Sequence, residues 1–153
     1  MLTKIPSDKR LIIFDFYDTL IYSVYQNKNF LRKGISDLVN QLEDEGKIMA
    51  ISSDADTGDV MRDFGYAASS EFSGKFSKVY GLETVRFDII DDGVKKYKDL
   101  KFICSDQDIP ISETIFIGDN FQGIDQYSAQ KFNMDYIIVP RENEDFSFVS
   151  LLS

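Results

Sequence analysis

Five short apolar runs, separated by longer mixed segments, constrain the fold of this chain more than any other feature. They cover residues 11–14, 48–51, 87–90, 115–117 and 136–139, and the last is stopped by Pro140. The run at 87–90 is the weakest because Asp88 interrupts it. Nearly continuous apolar runs of this length are typical of strands that are buried on both faces of a parallel sheet.

The segments between these runs have the spacing of amphipathic helices. Apolar residues recur at helical intervals from Ile35 to Leu42, and Gly46 follows as a stop signal, which predicts a helix over 35–45. Similar patterns predict helices around 60–64, ended by Gly65, around 100–104, and over 124–132. Strands that alternate with helices predict an α/β fold, a doubly wound three-layer sandwich with a mainly parallel five-stranded sheet.

Charge and composition exclude several classes of function. The 153 residues include 17 basic and 26 acidic side chains, and the net charge of −9 disfavours nucleic acid as a general partner. The chain has no histidine, which excludes Ser-His-Asp and Cys-His catalysis and all histidine metal sites. Any catalysis must therefore use carboxylates, hydroxyl groups, lysine and a metal ion.

The sequence also bears on the compartment. Cys104 is the single cysteine, so no intramolecular disulfide forms, which fits a reducing environment. Residues 1–10 lack the apolar run of a signal peptide, and no segment is apolar enough to span a membrane. We expect a soluble cytoplasmic protein without a membrane partner.

Polar residues follow three of the predicted strands. Asp15 and Asp18 follow the first, Ser52 ends the second, and Asp119 follows the fourth. Each of these residues alone suits an ordinary turn or helix cap. The carboxyl ends of parallel strands meet at one edge of a sheet, however, and ligands bind at that edge. A lysine group at positions 95, 96 and 98 precedes the third predicted helix.

Together these residue types suit phosphate ester chemistry. Carboxylates hold Mg²⁺, which offsets the negative charge of the phosphoryl oxygens. One carboxylate attacks phosphorus, a second acid protonates the leaving alkoxide, and a hydroxyl group and an ammonium group bind the phosphoryl oxygens.

At this point the chain resembles the haloacid dehalogenase superfamily of phosphohydrolases, whose first motif reads Asp-x-Asp-x-Thr. Asp15 and Thr19 keep their places in that motif. Tyr17 stands where the second Asp is expected, and Asp18 comes one position late. The resemblance implies that Asp15 is the nucleophile, and we predict Asp18 as its acid/base partner.

The remaining motifs extend the resemblance. Ser52 matches the residue that binds the phosphoryl group, and Lys96 is our choice for the lysine of the site, with Lys95 and Lys98 left open. Gly118 and Asp119 resemble the metal-binding Gly-Asp pair.

The implied Mg²⁺ ligands are Asp15, the backbone carbonyl of Tyr17, and Asp119. The family often places a second acid four residues after that Asp, where this chain has Gly123. Asn120 or Asp125 is the predicted support for the metal.

The resemblance implies a Mg²⁺-dependent phosphohydrolase that acts on a small molecule or a phosphoprotein through an aspartyl-phosphate. Short segments between the motifs predict one domain over 1–153 without a large cap. Tyr17 leaves open a metal-independent dehalogenase-type hydrolase or a phosphotransferase. Tyr17 and Gly123 together leave open a catalytically weakened binding module.

Overall fold

The computed structural model of the protein describes residues 1–22, 30–91, 93–141 and 145–153. Its strands and helices follow each other along the chain in an alternating order. The strands are β1 (Leu11–Phe14), β2 (Ile21–Tyr22), β3 (Phe30–Leu31), β4 (Ile48–Ser52), β5 (Val79–Tyr80), β6 (Val85–Ile90), β7 (Gly93–Lys98), β8 (Thr114–Gly118) and β9 (Asp135–Ile138). The helices are α1 (Ile35–Asp44), α2 (Thr57–Ala67), α3 (Ser70–Ser73), α4 (Leu100–Gln107) and α5 (Ile124–Lys131).

The centre of the fold is a five-stranded sheet in the order β5-β4-β1-β8-β9, with every neighbouring pair parallel. Strand β1 lies in the middle, with Phe14 level with Ile51 of β4 and with Ile117 of β8. All four residues of β1 are fully buried, as expected of a central strand covered on both faces.

Two apolar cores lie on opposite faces of this sheet. Alternate residues of β1 point to opposite faces, so Ile12 and Phe14 pack with helices α1 and α2, whereas Leu11 and Ile13 pack with helices α4 and α5. The predicted doubly wound α/β sandwich is therefore confirmed.

The third predicted strand is the main departure. Residues 87–90 do not join the parallel sheet but belong to β6, which forms a separate antiparallel hairpin with β7. The sheet instead takes β5 as its edge strand, a two-residue strand that pairs beside Ile51 and Ser52. Three apolar residues of this run, Phe87, Ile89 and Ile90, are 45–90% exposed, so they are not part of the core.

The helix predictions hold in position but differ at the ends. Helix α1 stops before Gly46, which adopts a positive φ of 76° as a helix-ending glycine does. Helix α2 does not end at Gly65 as predicted but continues to Ala67, because the N–H of Ala68 still donates to the carbonyl of Phe64. Among the described residues, no helix is long and apolar enough to cross a membrane.

An aromatic cluster joins α2 and α3 to the sheet, and Phe64 lies at its centre. Its ring meets those of Phe16, Phe72 and Phe76 edge-on, with centroids 5.4–6.0 Å apart. Such edge-to-face pairs add to the stabilisation that burial of the rings provides.

We predict that Phe64→Ala lowers the free energy of unfolding by about 3–5 kcal/mol, because the side chain is 2% exposed and its removal leaves a cavity. Urea denaturation measures this loss. Tyr66→Ala on the same helix is the control, since Tyr66 is 73% exposed and its loss should change stability by less than about 0.5 kcal/mol. Equal losses for the two variants would contradict the packing described here.

Candidate active site

The polar residues at the carboxyl end of the sheet converge on one cleft of about 210 Å³. Asp15 lies one position beyond Phe14, which is the last paired residue of β1. Asp119 follows β8 directly on the neighbouring strand. Both line the cleft, together with Tyr17, Asp18, Asp54, Lys98, Phe121, Ile124, Asp125 and Arg141.

Thr19 holds the loop after β1 in place. The N–H groups of Thr19 and Leu20 donate to the carbonyl of Phe16, which closes a tight turn, and Asp18 adopts a positive φ of 59° within it. The Thr19 hydroxyl donates to Asp15 Oδ2 at 3.0 Å and accepts from the N–H of Asp119 at 3.1 Å. This one side chain therefore connects the two strand-end aspartates.

The lysine beside Asp15 is Lys98 rather than the predicted Lys96. Lys98 Nζ donates to Asp15 Oδ1 at 2.7 Å and to Asp125 Oδ1 at 2.8 Å. Lys96 lies two residues further out on β7 and binds Asp54 Oδ2 at 3.0 Å. Lys95 points to the opposite face of the strand, over the ring of Tyr127. The pleat of β7, which the sequence did not predict as a strand, turns Lys95 away from Lys96 and Lys98, and the position along the strand places Lys98 rather than Lys96 beside Asp15.

Asp125 joins the site from the first turn of α5 and is 2% exposed. Its Oδ2 accepts the N–H of Asn120 at 2.9 Å. Gly118 makes room for it, because a Cβ built there would lie 2.2 Å from Asp125 Oδ2. Of the two predicted supports, Asp125 lies within the carboxylate cluster, and Asn120 orients it through its backbone.

The arrangement of these groups fits a divalent cation. One carboxylate oxygen from each of Asp15, Asp119 and Asp125 lies within 4.8 Å of the others. In the described part of the chain, Asp119 Oδ2 receives no hydrogen bond, although Arg141 Nε lies 3.4 Å away. Oxygen atoms from carboxylates are the ligands that Mg²⁺ prefers. The Tyr17 carbonyl remains a predicted ligand.

Burial and crowding disturb the ionisation of this group. Burial raises the pKa of Asp15 to about 7, against the opposing effect of Lys98, and the charge of Asp119 adds to the rise. Burial also raises the pKa of Asp119 and of Asp125. Burial alone would lower the pKa of Lys98, but Asp125 and Asp15 outweigh it and hold that pKa above its usual value. A bound cation would relieve the repulsion between the three carboxylates.

Ser52 is the last residue of β4 and is fully buried. Its Oγ has no hydrogen-bond partner among the residues that the structure describes. It does not cap the next helix, because α2 begins at Thr57 and Asp56 accepts the N–H of Gly58 as its cap. The strand register brings Ser52 alongside Asp15, one position beyond the paired residues Phe14 and Ile51.

Tyr17 occupies the place of the second aspartate of the motif and is bound to Asp63. Its phenol donates to Asp63 Oδ2 on helix α2 at 2.5 Å. Burial and this hydrogen bond raise the pKa of Tyr17 well above its usual range. Because the phenol donates its proton to Asp63, it is a poor proton donor for a leaving alkoxide.

Asp18 reaches the cleft but is bound by Arg141. The guanidinium of Arg141 donates to Asp18 Oδ2 from Nη2 at 2.8 Å and from Nε at 3.1 Å. Arg32 binds the backbone carbonyl of Asp18 at 2.7 Å. The Asp18 carboxylate is therefore engaged in an ion pair, and its acid/base role stays a prediction.

Sequence reasoning missed two of these contacts. Arg141 follows Pro140, and its guanidinium lies 4.1 Å from the centroid of the Phe121 ring at the mouth of the cleft. Asp63 lies in the middle of a helix whose other charged residues face solvent. No spacing rule connects either residue with Asp15, because both contacts depend on tertiary packing.

The family model of haloacid dehalogenase-like hydrolases matches residues 7–124 of this chain. The match covers most of the chain and includes the segments of Asp15, Ser52, Lys98 and Asp119. The chain therefore belongs to the haloacid dehalogenase-like hydrolases, as its motifs predicted. A comparison with curated proteins gives no match.

Solved structures share the fold at low sequence identity. A predicted phosphoglycolate phosphatase from Haemophilus somnus 129pt is 12% identical, with a TM-score of 0.67 over 94% of this chain and 91% of that one. The N-terminal part of a Bacteroides fragilis protein, containing a phosphatase domain complexed with Mg, is 14% identical, with a TM-score of 0.63 over 94% and 40%. A phospho-aspartyl intermediate analogue of phosphoserine phosphatase is 14% identical, with a TM-score of 0.54 over 87% and 94%.

We predict that Mg²⁺ raises the melting temperature more at pH 7.5 than at pH 5.5. Because the pKa of Asp15 rises from an ordinary value of 3.8 to about 7, the folded metal-free protein keeps a proton that the unfolded chain releases. Metal-free stability then falls as pH rises from about 4 to 7. Below pH 7 a proton competes with the cation for the carboxylates. Differential scanning fluorimetry with Mg²⁺ or EDTA measures the difference.

Gly118→Ala tests the geometry of the same site. The new methyl group would displace the Asp125 carboxylate, so the variant should lose most of the Mg²⁺-induced rise in melting temperature. Gly65→Ala is the matched control, since no atom of the described residues lies within 4 Å of its added Cβ and alanine suits a helix. A full Mg²⁺ effect in Gly118→Ala would contradict the assignment of Asp125 to the cation site.

Proposed function

We propose that this chain is a Mg²⁺-dependent phosphohydrolase that cleaves a phosphate monoester through an aspartyl-phosphate on Asp15. The observation that supports this most strongly is the arrangement around Asp15. A buried carboxylate at the end of a central strand contacts a buried ammonium group and lies beside two further carboxylates. Such a group of charges is costly to bury without a catalytic or metal-binding purpose.

Magnesium held by Asp15, Asp119 and Asp125 would offset phosphoryl charge and orient the group. Lys98 favours the anionic form of Asp15 that attacks, against the effect of burial, because its ammonium group binds Asp15 Oδ1 directly. Thr19 fixes the other oxygen of Asp15, so the carboxylate cannot rotate freely. Ser52 offers a buried hydroxyl group that has no hydrogen-bond partner among the described residues, at the same edge of the sheet.

The reaction has two displacements at phosphorus. An Asp15 oxygen forms a bond to phosphorus, and the bond from phosphorus to the leaving alkoxide breaks. Water then attacks phosphorus, the bond to Asp15 breaks, and inorganic phosphate and the free carboxylate are released. The alkoxide must gain a proton in the first step, and water must lose one in the second.

Proton transfer is the weak part of this site. Each acidic group that lines the cleft in the described parts of the chain already contacts a cation: Asp15 and Asp125 bind Lys98, Asp18 and Asp119 contact Arg141, and Asp54 binds Lys96. Tyr17 is bound to Asp63. We therefore propose that hydrolysis is slow for esters whose leaving group needs a proton.

The same observation favours a second candidate, a phosphate-binding module with little turnover. Its phosphate affinity would depend on Lys98 and the cation site, whereas its rate of ester cleavage would be close to the rate of uncatalysed hydrolysis in water. The cluster of three carboxylates favours a metal-dependent function over the metal-independent dehalogenase-type reaction. Substrate tests on the purified protein distinguish these possibilities.

We predict that the protein hydrolyses an aryl phosphate in the presence of Mg²⁺ and that Asp15→Asn lowers kcat by at least about a thousandfold. An aryl leaving group needs little acid assistance, so it reveals the nucleophile even where the acid is weak. Asp108→Asn is the control, because this exposed residue has a positive φ of 56° that asparagine also accepts. Unchanged activity in Asp15→Asn would refute the assignment, and phosphate binding without hydrolysis would favour the binding module.

A second prediction concerns Tyr17. Tyr17→Asp places a carboxyl group where the motif expects one, so kcat for an alkyl phosphate should rise by about a hundredfold while the aryl rate changes much less. Steady-state phosphate release measures both rates.

Asp18→Asn provides the comparison. If Arg141 holds Asp18 as a structural ion pair, the loss is the same for aryl and alkyl esters. A selective loss on the alkyl ester would instead give Asp18 the acid role that the motif offset suggested.

A further inference from the structure

The hairpin β6–β7 has two different faces, and one of them continues from the candidate active site. Cross-strand pairing places Val85 opposite Lys98, Phe87 opposite Lys96, and Ile89 opposite Val94. Because alternate residues of a strand share a face, these three pairs lie on the same side of the hairpin. Lys98 binds Asp15 at the base, and Lys96 binds Asp54 on the wall of the cleft. We refer to this side as the cleft face.

The opposite face of the hairpin packs on helix α5. Asp88 accepts the phenol of Tyr127 at 2.5 Å and the ammonium of Lys131 at 2.7 Å. The ring of Tyr97 meets those of Tyr127 and Phe132. These contacts fix the orientation of the hairpin, so the cleft face stays turned toward the site.

The cleft face is apolar beyond its two lysines. Phe87 is 60% exposed, Ile89 90% and Val94 65%, so they form an exposed patch rather than part of the core. Val94 lies four residues beyond Lys98, which corresponds to roughly 13 Å along the strand. An exposed apolar patch of this kind beside a cleft usually marks a binding surface.

We infer that the cleft face is the specificity surface for the leaving group of the substrate, which is an elongated apolar group attached to the phosphate. This rests on the proposed function for the position of the phosphoryl group, near Lys98 and Asp15. The ester would bind with its phosphate at the base of β7 and its apolar chain along Phe87, Ile89 and Val94. The strand register supports this occupant, because Lys98 and Lys96, which contact the cleft residues Asp15 and Asp54, lie on the same side of the hairpin as the apolar patch.

Alkylphosphonates of different length test the inference without requiring turnover. Isothermal titration calorimetry with Mg²⁺ present compares methylphosphonate with octylphosphonate. Octylphosphonate should bind at least about tenfold more tightly, because its additional methylene groups cover apolar surface on the hairpin. Ile89→Ser should weaken octylphosphonate binding about three- to fivefold and leave methylphosphonate unchanged.

Ile90→Ser is the matched control. Ile90 is the next residue of the same strand, is 45% exposed, and lies on the other face of the hairpin, opposite Gly93. Its substitution should leave both affinities unchanged. An Ile90→Ser variant that weakens octylphosphonate as much as Ile89→Ser does would overturn the inference.

The two proposals fail in different ways. If methylphosphonate binds and octylphosphonate binds no better, the inference about the hairpin is wrong while the phosphate site stands. If neither phosphonate binds, both are wrong. A dimer in light scattering that dissociates on Ile89→Ser would assign the face to self-association and would also overturn the inference.

Discussion

The bridge that Lys98 makes between Asp15 and Asp125 is the interaction on which the site depends. One ammonium group, 3% exposed, lies 2.7 and 2.8 Å from two carboxylates that are themselves almost fully buried. Asp119 brings a third carboxylate into the same cluster. Removing Lys98 would leave the acids to repel one another in a low-dielectric environment, which is the costly way to break a buried ion pair. The excess of negative charge that remains is what a divalent cation would offset.

The fold brings these charged groups together from distant parts of the sequence. Asp15 and Asp119 come from neighbouring central strands, whereas Lys98 comes from the end of a hairpin that lies outside the sheet. Thr19 connects the two aspartates, and Gly118 leaves the space that the Asp125 carboxylate fills. The geometry of the site therefore depends on the hydrogen bonds of Thr19 and on the small size of Gly118. The apolar cores on both faces of the sheet hold the strands that carry the two aspartates.

Much of the fold could be predicted from the sequence because burial on both faces leaves a simple pattern. The runs at 11–14, 48–51 and 115–117 are strands of the sheet because nothing polar interrupts them. The run at 87–90, which Asp88 interrupts, pairs locally with β7, and β5 is too short to give any periodic signal. Local pattern does not distinguish a sheet strand from a hairpin strand.

Part of the site could also be predicted from the sequence. Strand ends located Asp15, Ser52 and Asp119, since all three follow apolar runs. The choice of Lys98 over Lys96 depends on how far along β7 the strand passes Asp15, and the sequence did not reveal this strand. Tyr17 and Asp63 are separated by 46 positions in the sequence, and Asp18 and Arg141 by 123. Only tertiary structure brings the members of each pair together.

The central claim is that Asp15 itself takes up the phosphoryl group. Mass spectrometry of protein quenched in acid during turnover of an aryl phosphate tests it most directly. The account predicts one phosphoryl group on the peptide that contains Asp15, with none in protein kept without substrate. Continued hydrolysis with no modified peptide, or a phosphoryl group on another residue, would contradict it.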